Sequence, residues 1–267
     1  MFNAREEYLS NLMPYFIENL KNCFDFFLRN PVSRKNYCEH PESLDDIFEG
    51  VEQESLYNTL KAKYGDFLSQ NATRRNFILN LYYLNIFDKY LSSESKEDIS
   101  ILDVGSKNWE YAKSEYVFFK LFPKEFSLNG IELDAYRMCS NFYNRCEIAK
   151  FYTKDLPNTN YIKGDFLEHQ QKYDYIIWIL PFITEYPHVR WGLPLKYFKP
   201  KEMLLHAYNL LNPEGELLII NQGEEEYSIQ QKLFNKAKLD YSPLGEIEDC
   251  FGIFRNKRYC SKLVMKG

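Results

Sequence analysis

The hydrophobic pattern changes texture once along the chain. Up to about residue 91, apolar positions recur at helical spacing; beyond a polar stretch they gather into short runs separated by longer helical patterns. In the first part Leu9, Leu12, Met13, Phe16, Ile17, Leu20, Phe24, Phe27 and Leu28 repeat at three- and four-residue steps. That spacing predicts an amphipathic helix whose stripe packs into a core. Asn30-Pro31 ends it, because the residue before a proline is biased away from helix. Residues 31–41 read as a loop. Ser43-Leu44-Asp45-Asp46 predicts a further helix start, with acidic residues in the first turn. Another helix is predicted over 72–91, where Phe77, Ile78, Leu81, Leu84, Ile86 and Phe87 form the apolar set.

Residues 92–98 contain no apolar side chain and mark the boundary. The expected domains are a helical cap or substrate subdomain at 1–97 and an α/β domain at 98–267. Strands are predicted near 99–104, 128–133, 160–163, 174–180 and 216–221, with helices near 110–121, 135–151, 201–211 and 226–238. The run Tyr173-Asp174-Tyr175-Ile176-Ile177-Trp178-Ile179-Leu180 is apolar almost throughout, as a central strand covered on both faces requires. Asn212-Pro213-Glu214-Gly215 reads as a turn before the fifth strand. Candidate strands near 249–254 and 258–265, joined by Arg255-Asn256-Lys257, suggest an antiparallel hairpin at the sheet edge. The fold class expected is α/β: a doubly wound, mostly parallel sheet with a C-terminal antiparallel hairpin, plus an N-terminal helical subdomain.

Composition narrows the partners. The 267 residues carry 33 Lys and Arg against 38 Asp and Glu, a net charge of −5, which argues against a nucleic-acid partner with its need for a basic face. Six scattered cysteines without a Cys-x-x-Cys pair, and Glu6 and Glu7 ahead of the first apolar run, lead to the expectation of a cytoplasmic protein with reduced thiols. The longest apolar run, 176–183, is interrupted by Pro181 and is too short to span a bilayer, so no membrane partner is expected. No spacing of His, Cys, Asp or Glu suggests a metal site.

Ligands of open α/β sheets sit at the carboxyl ends of the strands. Asp103, Gly105 and Ser106 follow the first predicted strand, Glu132, Leu133 and Asp134 the second, Asp165 and Phe166 the third, Leu180 the fourth and Asn221 the fifth. Glycine at 105 lets the backbone approach a ligand. The Glu132 carboxylate can accept from a ribose diol, Asp165 from an exocyclic amine, and Phe166 can stack on a base.

Leu102-Asp103-Val104-Gly105-Ser106, Gly130-Ile131-Glu132-Leu133-Asp134 and Lys163-Gly164-Asp165-Phe166 together resemble three motifs of the class I S-adenosylmethionine-dependent methyltransferases. Tyr173-Asp174-Tyr175-Ile176 and 210–217 resemble that family's fourth strand and the turn before its fifth. The resemblance covers about 98–267. It implies S-adenosylmethionine as cofactor, with Asp103, Gly105, Ser106 and Lys107 around its methionine part, Glu132 and the adjoining Leu133 at the ribose, Asp165 and Phe166 at adenine, and the Leu180 backbone near the methionine amine. Lys107 and Trp109 stand where the family carries its second and third glycines, and Leu180-Pro181-Phe182 departs from the Asn/Asp-Pro-Pro-Tyr pattern of base and glutamine amino-methyltransferases. The acceptor expected is therefore a small molecule. Residues 182–200 are placed as an acceptor pocket, a lid or a surface loop, and His188, Glu185 and Asn221 are the catalytic candidates. The alternative is a non-catalytic, methyltransferase-like binding protein; a nicotinamide oxidoreductase ranks last, for want of Gly-x-Gly-x-x-Gly. Oligomeric state is left open.

Overall fold

The computed structural model describes residues 3–32, 35–92, 97–122 and 125–266. Helix α1 runs Asn3–Phe27, α2 Val51–Tyr64 and α3 Arg74–Tyr90. Strand β1 (Asp98–Val104), α4 (Ala112–Phe119), β2 (Glu125–Glu132), α5 (Arg145–Thr153), β3 (Thr159–Lys163) and β4 (Tyr173–Ile179) follow. Then come α6 (Glu185–Arg190), α7 (Pro200–Asn209), β5 (Leu211–Gln222), α8 (Gly223–Ala237), β6 (Ser242–Ile247) and β7 (Arg258–Val264).

The strands form one sheet in the order β3-β2-β1-β4-β5-β7-β6. β1 to β5 pair in parallel, and β7 runs antiparallel between β5 and β6. The fold is the expected doubly wound sheet with antiparallel C-terminal strands. Strand order reverses between β1 and β4, which places the ligand crevice at Val104 and Ile179.

Two cores flank the sheet. One packs Phe77, Leu81, Tyr83 and Phe87 of α3 with Phe118 and Phe119 of α4 against Ile101, Ile177 and Leu218. The other packs Leu204 and Ala207 of α7 and Phe234 of α8 against Leu102, Ile176, Ile219 and Leu263. The helices of 1–97 therefore divide between two places: α3 shares a core with β1, whereas α1 lies against α6.

Several elements depart from the pattern read off the sequence. No helix starts at Ser43; the chain turns there, with the Ser43 hydroxyl 2.7 Å from Asp45, and α2 begins at Val51. α5 starts at Arg145 rather than near 135, because Asn144 and Glu147 close a reciprocal capping box at that point. The turn at 212–215 is absorbed into β5 as an irregularity: Leu211 pairs with Tyr173, Glu214 is left-handed (φ 64°), and a Cβ on Gly215 would lie 2.8 Å from the Asn212 carbonyl. The first strand of the terminal antiparallel pair is 242–247, not 249–254. Residues 249–254 form its connection to β7, which sits inside the sheet rather than at its edge.

The stripe on α1 is not core. Phe16, Ile17, Leu20, Phe24, Phe27 and Leu28 are exposed by 52–84 %; Leu9, Leu12 and Met13 have side chains outside those described. The opposite, polar face makes the contacts, because its side chains satisfy backbone groups of the segment beneath. Asn22 Nδ2 donates to the Val189 carbonyl (2.8 Å), the Leu195 amide donates to Asn19 Oδ1 (2.9 Å), and Arg29 donates to the Gly192 carbonyl (3.1 Å).

Candidate functional site

A cavity of about 100 Å³ opens at the reversal point, lined from the strand ends and roofed by residues 182–199. Gly105, Lys107, Glu132, Leu133, Asp165, Phe166 and Leu180 all line it. Asp103 and Ser106 do not: both are fully buried beneath the loop after β1. Of the catalytic candidates, His188 lines the cavity, whereas Glu185 and Asn221 stay outside it.

The loop after β1 is built on left-handed backbone. Gly105 (φ 71°), Lys107 (φ 55°) and Trp109 (φ 49°) turn the chain tightly, and Leu180 (φ 56°) does the same after β4. Such conformations cost of order 1–3 kcal/mol each at a non-glycine residue and cluster where a site needs backbone in a special place. Trp109, at the position of a family glycine, is fully buried; it packs so close that a Cβ on Gly130 would come within 2.9 Å of its ring. Its indole N–H donates to Glu115 Oε2 (2.8 Å).

Glu132 ends β2 and organises its surroundings. Its Oε1 accepts from the Asp134 amide (2.8 Å) and Arg145 Nη1 (2.9 Å); its Oε2 accepts from the Lys107 amide (2.9 Å). A carboxylate offers about four acceptor positions, so one remains for a ligand hydroxyl. Asp134, beside it, is fully buried, and Arg29, Arg137 (3.5 Å) and Arg145 (3.7 Å) gather round it. Burial still pushes its carboxyl up to about 6 against those three charges.

Asp165 Oδ1 accepts from the Leu167 amide (3.0 Å) and starts a short 3₁₀ turn, which leaves its second oxygen for a ligand. Phe166, 4 % exposed, supplies an apolar wall. Leu180 commits its N–H to the Ile220 carbonyl (2.7 Å). The Lys107 ammonium lies 4.7 Å from the centroid of the Trp191 ring in the roof, and burial lowers its pKa.

The roof is pinned. His188 Nε2 is 2.9 Å from the Pro194 carbonyl and, as donor, ties α6 to the turn that follows it; its ring meets Phe182 and Phe198 edge-on. Burial lowers its pKa, so it is neutral near pH 7. Glu185 accepts from Tyr15 (3.2 Å). Asn221 points to the α7/α8 side of the sheet, with Ile219 two residues back in that core, and neither side-chain amide atom has a partner.

Asp103 accepts from the Tyr111 hydroxyl at Oδ2 (2.9 Å). Burial, offset in part by that hydrogen bond, pushes its carboxyl up to about 8; burial and the nearby Asp103 also raise Glu115 well above the usual carboxylate range. Arg258 opens β7 and follows Lys257; such a basic pair reads as solvated surface, but Arg258 is buried, the residue being 7 % exposed.

No protein-family model and no curated protein matches this chain. Solved structures do. One, a SAM-dependent methyltransferase from Aquifex aeolicus, is 14 % identical, covering 70 % of this chain and 90 % of its own, with a TM-score of 0.46. TrmN from Thermus thermophilus is 13 % identical over 69 % of this chain and 48 % of its own (TM-score 0.46). Precorrin-6y C5,15-methyltransferase from Geobacter metallireducens is 8 % identical over 68 % and 88 % (TM-score 0.45).

Proposed function

We propose that the chain binds S-adenosylmethionine at the reversal point and transfers its methyl group to a small-molecule acceptor. One observation carries the reading: residues from four strand ends, carrying the motifs of the sequence resemblance, converge on a single cavity built on left-handed backbone at Gly105, Lys107 and Leu180. The donor set suits the cofactor's nucleoside half. Glu132 keeps one acceptor position for a ribose hydroxyl, Asp165 keeps an oxygen for an exocyclic amine, and Phe166 offers a face to a purine. When bound, the cofactor supplies an electrophilic methyl group on a sulfonium.

The chain's own contribution is alignment and exclusion of water. The roof residues Trp191, Leu193 and Phe198 close the cavity against solvent, and His188, neutral and tied to Pro194, holds that roof together rather than moving a proton. A cavity of about 100 Å³ is below the roughly 300 Å³ at which small-molecule pockets begin, so binding requires the Lys107 side chain and the roof to shift outward.

Calorimetric titration with S-adenosylmethionine and S-adenosylhomocysteine tests the proposal. Binding is expected in the parent protein, weakened roughly tenfold by Asp165→Ala through loss of one hydrogen bond to a charged group. No binding of either ligand overturns it. The position of Lys107 in the cavity favours a second reading, a methyltransferase-like binding protein without turnover. Release of labelled methyl groups onto an acceptor separates the two.

A further inference from the structure

α1 turns its polar face to the protein and its apolar face to solvent. At 3.6 residues per turn, Phe16, Ile17, Leu20, Phe24, Phe27 and Leu28 fall within one sector of the helix. Asn19, Asn22 and Arg29, which hold α1 to the roof, lie on the other side. The six apolar residues are exposed by 52–84 %, Phe27 most of all, and all lie beyond Pro14. The apolar surface continues past Leu28: Val32, Met138 and Phe142, exposed by 47–72 %, line the groove at that end of the helix.

With about 200 Å² for a wholly exposed phenylalanine and somewhat less for leucine and isoleucine, the six side chains present roughly 700 Å² to solvent. The largest apolar patch on a monomeric protein is usually about 300–600 Å². Pairing two such faces removes about 1,400 Å² from water, within the range of roughly 1,200–2,000 Å² that specific protein interfaces bury.

The stripe is complementary to itself. A two-fold axis at the level of Asn22 sets two α1 helices antiparallel. Leu20 then stands level with the second copy's Phe24, Ile17 with its Phe27 and Phe16 with its Leu28, so each level pairs one ring with one aliphatic side chain. Lys21 and Asp25, both exposed, share one flank of the stripe, and the axis turns that flank towards the same flank of the second copy. Lys21 falls within about half a helical turn of the second copy's Asp25, twice by symmetry. A membrane surface is a poorer fit. Helices that lie on membranes present Lys and Arg on their polar face, whereas the polar face of α1 is engaged by the roof and the chain carries a net charge of −5.

We propose that the chain forms a two-fold symmetric dimer through its α1 helices, packed antiparallel along the stripe from Phe16 to Leu28. The dimer covers the apolar face that the fold leaves in water. It does so on the side of α1 opposite the roof, so the contacts of Asn19, Asn22 and Arg29 that brace the cavity stay in place. The proposal does not depend on the cofactor reading above.

Sedimentation velocity over a concentration series tests it, with binding to vesicles of phosphatidylcholine and phosphatidylserine measured alongside. The parent protein should sediment as a dimer that dissociates only at micromolar concentration or below. Leu20→Glu sets two like charges beside the axis and should weaken the dimer at least roughly tenfold, with an unchanged circular dichroism spectrum. Lys21→Glu should weaken it several-fold, and Asp25→Lys added to that variant should restore it. A parent protein that stays monomeric to about 100 μM overturns the proposal, and vesicle binding by that monomer gives the face to a membrane instead. A dimer that withstands Leu20→Glu uses another surface and overturns it as well. A dimer indifferent to Lys21→Glu, alone and with Asp25→Lys, overturns the antiparallel arrangement. The mass of the parent protein decides even if a variant fails to fold.

Discussion

Asp103 stands at the end of β1 where a ligand-facing acid was expected, yet its carboxyl is buried, bonded to Tyr111 and raised to about 8, burial being the main cause. The folded protein holds this proton up to that pH, while the unfolded chain releases it near 4. The folded state therefore binds more protons between those values, and stability falls as pH rises through that window, by at most about 1.4 kcal/mol per pH unit from this group. Asp103→Asn keeps an acceptor for Tyr111 and removes the titration. Urea denaturation between pH 4 and pH 8 should show a shallower decline in the variant; an unchanged slope would mean Asp103 is ionised in the fold. At this scale the sequence was informative about which residues stand at strand ends, because apolar runs mark where strands stop. It was silent on orientation. Asp103 and Gly105 are two residues apart, but one points into the α3/α4 core and the other borders the cavity. Trp109 was legible only as a missing glycine, not as a core ring packed on Gly130.

Among elements, the roof and α1 behave as a pair. Asn19, Asn22 and Arg29 satisfy backbone groups at Leu195, Val189 and Gly192, and Phe26 meets the Tyr197 ring at 5.1 Å. Asn22→Ala leaves the buried Val189 carbonyl without its Asn22 donor, a loss of about 1–3 kcal/mol. Faster amide exchange confined to 185–197, with the sheet unaffected, is the expected result; uniform loosening would show that α1 does not brace the roof. The helical periodicity of α1 was correct, but its facing was not, since an apolar stripe reports amphipathicity and not which side finds a partner. β1 to β5 were legible because buried parallel strands are continuously apolar. β6 was not: Ser242-Pro243-Leu244-Gly245-Glu246-Ile247 holds a proline and a glycine that only an edge strand tolerates, while the more apolar 249–254 went to a connection. α2 has few large apolar residues, Leu56, Tyr57, Leu60 and Tyr64 among polar and charged ones, and fully buries only Leu60 and Tyr64.

At the scale of the whole molecule, the sheet separates two faces with different work. The α7/α8 side holds the cavity wall at Val104, Phe166 and Trp178, and the α3/α4 side holds an aromatic core of Tyr82, Tyr83, Phe87, Phe118 and Phe119. Leu180 belongs to both, lining the cavity and packing against the α3/α4 core. Among the described residues, no helix is long and apolar enough to cross a membrane. The doubly wound plan was legible from the alternation of runs and helices, but the insertion of β7 between β5 and β6 was not, because long-range order leaves no local trace in a sequence. The contact between α1 and the roof also sets a timetable. Asn22 and Val189 are 167 residues apart, and Ser92 and Glu216 are 124 apart. Closing loops of that length costs chain entropy before any contact repays it. Refolding from urea should therefore restore the helical and strand signal in far-ultraviolet circular dichroism before the fluorescence of Trp191 and the binding of S-adenosylhomocysteine. Simultaneous recovery of all three would mean the roof forms with the sheet. On this ordering a freshly folded sheet passes through a period with its cavity uncovered, and the first ligand to arrive meets an open door rather than a closed one.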